Sequence, residues 1–242
     1  MGDDHAHVMT RRRPRWRSYM LLARVSNLPT VWTNVAAGVL VSGGRLEWRA
    51  LLGLMAGVSL LYVAGMFLND AFDHAIDAAV RPGRPIPAGD VPRIEAFVVG
   101  ELLLGTGELL LALSGETLAA AAWGLLLGAA ILYYDYRHKR DALGPLVMGL
   151  CRGLVYLVAA SAAAGISAGV LLAAGVMTAY VTALTLVAKR IGRRGRIVVP
   201  LLIAGISIVD ALIVVPVAPA AAPWLAAGFL LTLAAQRVVP GD

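Results

Sequence analysis

The sequence predicts an all-α, polytopic membrane bundle of about eight crossing helices. Three observations point there. The 242-residue chain is 59% hydrophobic and only 15% charged, against about half apolar and a quarter charged in soluble domains. Its mean hydropathy is +0.77. Its apolar residues fall in continuous blocks of about twenty, the length that crosses a bilayer's hydrocarbon core as a helix. Backbone groups in lipid must bond internally, which leaves helices or closed barrels; continuous rather than alternating blocks select helices.

The blocks lie at about 20–42, 50–69, 93–114, 118–134, 144–164, 167–189, 196–216 and 221–238. The third and fourth are the least distinct, because only Gly115 and Glu116 part them. Residues 1–18 read as a basic cytoplasmic segment without a cleavable-signal pattern, and 19–242 as one transmembrane domain. One cysteine, Cys151, excludes an intrachain disulfide. Basic residues concentrate before the first block (Arg11, Arg12, Arg13, Arg15, Arg17), after the second (Arg81, Arg84, Arg93), after the fourth (Arg137, Lys139, Arg140) and after the sixth (Lys189, Arg190, Arg193, Arg194, Arg196). The opposite loops hold Arg45 and Arg49. This bias predicts a multi-pass protein of the plasma (inner) membrane with both termini in the cytoplasm. It also explains the sequence pI of about 9.9 without a nucleic-acid partner; the basic N-terminus is suited to anionic lipid head groups.

The chemistry concentrates where the second block ends. Asn69, Asp70, Asp73 and Asp77 place four metal-grade oxygen side chains in nine residues. In a continuing helix, Asn69, Asp73 and Asp77 share a face, with Asp70 on its flank. Stacked carboxylates repel, and a hard divalent cation such as Mg²⁺ would relieve that repulsion. The following connection, about 70–92, carries Arg81-Pro-Gly-Arg84-Pro-Ile-Pro-Ala-Gly89, whose prolines and glycines end regular structure. A bare turn needs no such set of charges. The shorter loop after the fourth block begins Tyr134-Asp135 and reaches Lys139, one helical turn beyond Asp135. Within blocks, Arg24, Asn27 and Asn34 lie near one face of the first, Arg152 lies inside the fifth, Glu101 and Glu108 lie two turns apart on the third, and Asp210 stands alone in the seventh. Ionisable groups at such depth are costly and mark function, although a structural pairing serves Glu101 and Glu108 equally well. His74 reads as a bystander, and no His/Cys set suits zinc.

Carboxylates for Mg²⁺, guanidinium groups for a polyanion and an apolar interior together match an amphipathic ligand: a diphosphate head on a hydrocarbon tail. Mg²⁺ would neutralise the leaving diphosphate. Arg81, Arg84 and Lys139 would bind its remaining oxygens. A dry interior would protect the allylic cation.

At this point the residues resemble the UbiA superfamily of intramembrane prenyltransferases. Asn69-Asp70-x-x-Asp73-x-x-x-Asp77 followed by Arg81-x-x-Arg84-Pro-Ile-Pro-x-Gly89 is similar to that family's first aspartate-rich motif. Arg24-x-x-Asn27-x-Pro-Thr30, Asn34-x-x-x-Gly38 and Tyr134-Asp135-x-x-x-Lys139 also resemble it. The stretch from Gly144 to Arg152 is similar to the EboC-like branch. The resemblance covers the first two-thirds of the chain. It implies eight to nine helices around a central cavity, and Mg²⁺-dependent transfer of a prenyl group from a prenyl diphosphate to an aromatic or other small acceptor. By position, Asn69, Asp73 and Asp77 would hold Mg²⁺ with Asp70 assisting, Lys139 would join Arg81 and Arg84 on the diphosphate, and Asn27, Tyr134, Asp135 and Arg152 would face substrate. One departure stands out. The family's second aspartate motif is due after the sixth block, where this chain reads Lys189-Arg190-Ile-Gly-Arg193-Arg194 with no acid. Lys189 and Arg190 would there do by direct charge what a second metal does elsewhere. A terpene cyclase on the same scaffold, or a lipid-diphosphate binder or transporter without chemistry, are the competing readings.

Overall fold

The computed structural model describes residues 13–114, 118–137, 141–191 and 195–241. Among them the chain is all helical, with ten α-helices and no strand. Five are long and apolar enough to cross a membrane: α3 (Trp48–Phe72), α5 (Arg93–Leu113), α7 (Gly144–Ala163), α8 (Ala168–Ile191) and α9, from Ile197 to Val214. The others are α1 (Arg15–Ala23), α2 (Leu28–Val41), α4 (His74–Val80), α6 (Ala119–Arg137) and α10 (Ala222–Gln236); α9 begins at Gly195.

The first expected helix is interrupted, and so is the continuation of the second through Asp77. The first block is broken at Arg24, whose backbone is left-handed (φ 43°) and ends α1 with its N–H on Leu21 O. A short 3-10 turn, Val25–Asn27, then leads into α2, where Pro29 sits in the first turn and sacrifices no helical bond. Left-handed backbone is costly for a side-chain-bearing residue and persists where surroundings fix it; the Arg24 side chain is held by Asp70, at 2.8 Å. The second interruption is at Asp73, which ends α3 and starts α4. Asp73 N–H bonds Asn69 O at 2.9 Å, and Asp73 O accepts from Ile76 and Asp77 N–H at 3.0 and 2.9 Å, so Asp73 closes one helix and opens the next.

Helix α2 is the central element and touches α3, α7, α8, α9 and α10. One apolar core on its α3 side joins Val31, Val35, Leu54, Val58, Leu61, Leu127 and Val158. A second, on the α8–α10 side, joins Tyr156, Met177, Val181, Ile206, Val214 and Leu225. A third, built from Leu22, Phe67, Ile86 and Val91, lies beneath the aspartate-bearing connection and seats it on α1 and α3. Helices α3 and α5 approach closely at paired glycines. A Cβ on Gly57 would stand 3.1 Å from Gly107 O, and one on Gly107 would stand 2.9 Å from Gly57 O. Small residues permit such backbone contact, the main source of association between helices in lipid.

Candidate functional site

The end of α3 and the loop after α4 supply alternating charges. Asp70 accepts from Arg24 Nη2 at 2.8 Å and from Arg84 Nη1 at 3.0 Å; the same Arg84 nitrogen donates to Asp77 Oδ2 at 2.7 Å. Arg81 Nε lies 3.8 Å from Asp77 Oδ1. Asp70, Asp73 and Asp77 are all buried. Buried carboxylates are tolerable because each gains a cation or donors in compensation. Two arginines, one 46 residues upstream of Asp70 and one 14 residues downstream, thus relieve the repulsion in this stack. This corrects the single-face expectation. Asn69 and Asp73 line a cavity, whereas Asp70 and Asp77 turn to a shared guanidinium.

That cavity opens widely at the end of the bundle expected to be cytoplasmic. Arg24, Asn69, Asp73, Arg81, Arg84, Tyr134 and Lys189 contribute to its wall. Asp141 also lines it; hydrogen bonds from the Tyr133 hydroxyl and Leu143 N–H hold this carboxyl below its ordinary range. A second, mostly apolar chamber lies among α2, α3, α6 and α7, walled by Val31, Val58, Tyr62, Leu127, Ile131 and Val155. Met66, Tyr134 and Met148 line both spaces, so mouth and chamber adjoin. Asp135 and Arg152 are the ionisable side chains of acid or guanidinium type on the chamber wall.

Several expected residues are brought together: Asn69, Asp73, Arg81, Arg84, Tyr134 and Lys189 at the mouth, Asp135 and Arg152 in the chamber. Asn69 Nδ2 donates to Asp135 Oδ1 at 3.3 Å, linking α3 to α6. Asn27 is engaged elsewhere: its amide donates to Tyr62 Oη at 3.2 Å and Gly241 O at 2.9 Å, and accepts from Gln236 Nε2 at 3.0 Å. Arg190 is exposed at the end of α8 and does not line the mouth, so only Lys189 of that basic pair reaches it. Lys139 lies outside the described residues. Glu101 faces outward, and Glu108 packs against Gly124 of α6.

Among the described residues no three His, Cys, Asp or Glu side chains are placed to share a metal ion. The donor chemistry nevertheless suits Mg²⁺, which takes oxygen ligands. Asn69 and Asp73 face the mouth, and Asp77 Oδ1 and Asp135 Oδ2 are buried without a hydrogen-bond partner. Arg84 competes with a cation for Asp70 and Asp77. Asp210, which stands alone along the sequence, is tied by the structure to Asn34 at 2.8 and 2.9 Å. Its one signal was an acid within an apolar span.

The fold and site define a helical membrane protein with a charged mouth above an apolar chamber. The chain belongs to the UbiA prenyltransferase family, whose family model matches residues 30–239. It is 34% identical over 149 residues to a digeranylgeranylglyceryl phosphate synthase of Methanopyrus kandleri, covering 60% of this chain and 53% of that protein. It is 29% identical over 139 residues to a 4-hydroxybenzoate octaprenyltransferase of Vibrio vulnificus, covering 56% of this chain and 48% of that one. The chain thus spans about half the length of the curated relatives it matches. A solved UbiA homolog from Archaeoglobus fulgidus, bound to DMAPP and Mg²⁺, superposes with a TM-score of 0.63 at 14% identity, covering 91% of this chain and 87% of that one. At that identity the likeness shows the fold.

Proposed function

We propose that this chain is a Mg²⁺-dependent prenyltransferase, moving a prenyl group from its diphosphate to an aromatic or other small acceptor inside the membrane. The observation that carries this reading is the junction at Met66, Tyr134 and Met148. A ligand with its head among Arg81, Arg84 and Lys189 would have its tail in the apolar chamber. The relatives' names and the DMAPP-bound neighbour support the same substrate class. The mouth faces the cytoplasm, eight segments cross the bilayer, and both chain ends lie on the cytoplasmic side, as the basic-residue bias supports.

Asn69, Asp70, Asp73 and Asp77 would hold the cation, with Asp135 in support through Asn69. When bound, Mg²⁺ supplies positive charge to the developing diphosphate anion. Arg81 and Arg84 offer planar forks that match diphosphate oxygens, and Lys189 and Lys139 add point charges. These groups favour departure of the allylic oxygen because they bind the separated anion more tightly than the ester. The apolar chamber excludes water from the cation left behind. The acceptor then forms the new bond and loses a proton.

A second reading, a lipid-diphosphate binder without turnover, is favoured by the arginine pairing of Asp70 and Asp77 and by the lack of acids at 189–196. Radiolabelled prenyl diphosphates with Mg²⁺ and candidate acceptors separate the readings. Prenylated acceptor, absent with Asp73→Ala, is the expected result. Product from prenyl diphosphate alone identifies a cyclase, and binding without diphosphate release identifies the binder.

A further inference from the structure

The chamber wall carries a half-buried cation whose immediate partners are neutral. Arg152, on α7, donates from Nη1 to Asn34 Oδ1 at 3.0 Å and from Nη2 to Thr30 Oγ1 at 3.2 Å, and its Cζ lies 5.5 Å from the centre of the Tyr62 ring. Among the described residues it has no carboxylate within ion-pair distance. A guanidinium has five N–H donors, and the structure gives this one two side-chain acceptors. Behind it lies Asp210, fully buried in α9. Its two oxygens accept from Asn34 Nδ2 at 2.8 and 2.9 Å, and Oδ1 also accepts from the Tyr156 hydroxyl.

The network has one consistent polarity. Arginine only donates and a carboxylate only accepts. The Asn34 amide between them must therefore turn its oxygen to Arg152 and its nitrogen to Asp210. Thr30 is fixed likewise, because its hydroxyl donates to Asn27 O at 2.7 Å and so offers a lone pair to Arg152. Asp210 thereby sets the amide that sets the guanidinium. It does so without touching Arg152, so the cation keeps donors for a ligand rather than being spent on a direct ion pair.

We infer that Asp210 is a positioning residue which, through Asn34, holds Arg152 to receive the oxyanion of the second substrate, a carboxylate or a phosphate monoester. This rests on the proposed prenyl transfer: the diphosphate head takes the mouth, leaving Arg152 as the chamber's cation for a second anionic group.

The test is equilibrium binding to purified full-length protein in nanodiscs. One arm uses 4-hydroxybenzoate against its neutral isostere 4-hydroxybenzamide. The other uses a phosphate-headed glycerolipid against the matching uncharged alcohol. Geranyl diphosphate binding with Mg²⁺ is measured alongside. At least one anionic probe should bind tenfold or more tightly than its neutral counterpart, and the arm that responds identifies the oxyanion. Asp210→Asn, which is isosteric but allows either amide orientation, should cut that preference about tenfold and leave geranyl diphosphate affinity within twofold. Arg152→Gln should abolish the preference, and Arg152→Lys should restore part of it; these two serve if Asp210→Asn does not fold. No anion preference in either arm, or a preference surviving in Arg152→Gln or Asp210→Asn, overturns the inference. Loss of geranyl diphosphate binding by the unaltered protein would instead count against the proposed function.

Discussion

Replacing Arg84 by alanine should destabilise the protein well beyond an ordinary surface change. Arg84 Nη1 bridges Asp70 at 3.0 Å and Asp77 at 2.7 Å, and the Asp77 side chain is 1% exposed. Without Arg84, Asp70 keeps Arg24, but among the described residues Asp77 keeps only Arg81, at 3.8 Å and with a side chain 54% exposed. Removing one partner of a buried pair costs about 3–5 kcal/mol because a charge is stranded. The residual Arg81 contact and the neighbouring open mouth argue for the lower end, about 3 kcal/mol. For a chain of this size each kcal/mol moves Tm by about 2–4 °C, so a fall of roughly 6–12 °C is expected. Thermal unfolding in nanodiscs without Mg²⁺ measures it. Adding Asp77→Asn to Arg84→Ala should recover half or more of the loss, because the stranded charge is gone. A fall under about 2 °C, or a double variant no more stable than the single, would refute the reasoning.

Three further outcomes follow from the same geometry. Lys189→Ala should weaken prenyl diphosphate binding about tenfold, or about 1.4 kcal/mol, while Arg190→Ala should leave it within twofold, since only Lys189 lines the mouth; fluorescence titration distinguishes them. Gly107→Val should cost about 1–3 kcal/mol by overpacking, because its Cβ would meet Gly57 O at 2.9 Å in backbone that cannot rotate aside; a lowered Tm with unchanged diphosphate affinity is the expected pattern. Arg24→Ala should leave Asp70 with Arg84 alone and lower both Tm and the affinity for prenyl diphosphate, since Arg24 also lines the mouth; a variant changed in neither measure would show that the Arg24–Asp70 pair contributes little.

The helical blocks were legible because lipid imposes length and apolarity on each crossing segment separately. The motif from Asn69 to Asp77 was legible for the same local reason: its spacing makes sense within one helix. What remained hidden depends on partners distant in sequence. Nothing local to Asp70 announces Arg24, and no periodicity foretells that Arg24 adopts a left-handed backbone to reach it. The helix break at Asp73 likewise separates Asp77 from the face expected for it. Asp210 looked isolated along the chain, yet it is satisfied from α2 and α7, 176 and 54 residues away. Burial of a charge says that partners exist; only the fold says which.

In the proposed reaction, the charged mouth and the adjoining apolar chamber bind a prenyl diphosphate through a divalent cation. Equilibrium binding of radiolabelled geranyl diphosphate to the purified protein, in Mg²⁺ and then in EDTA, tests it most directly. Saturable binding in Mg²⁺ that weakens at least tenfold in EDTA and equally in Asp73→Ala is the expected result. Affinity unchanged by EDTA and by Asp73→Ala would contradict it.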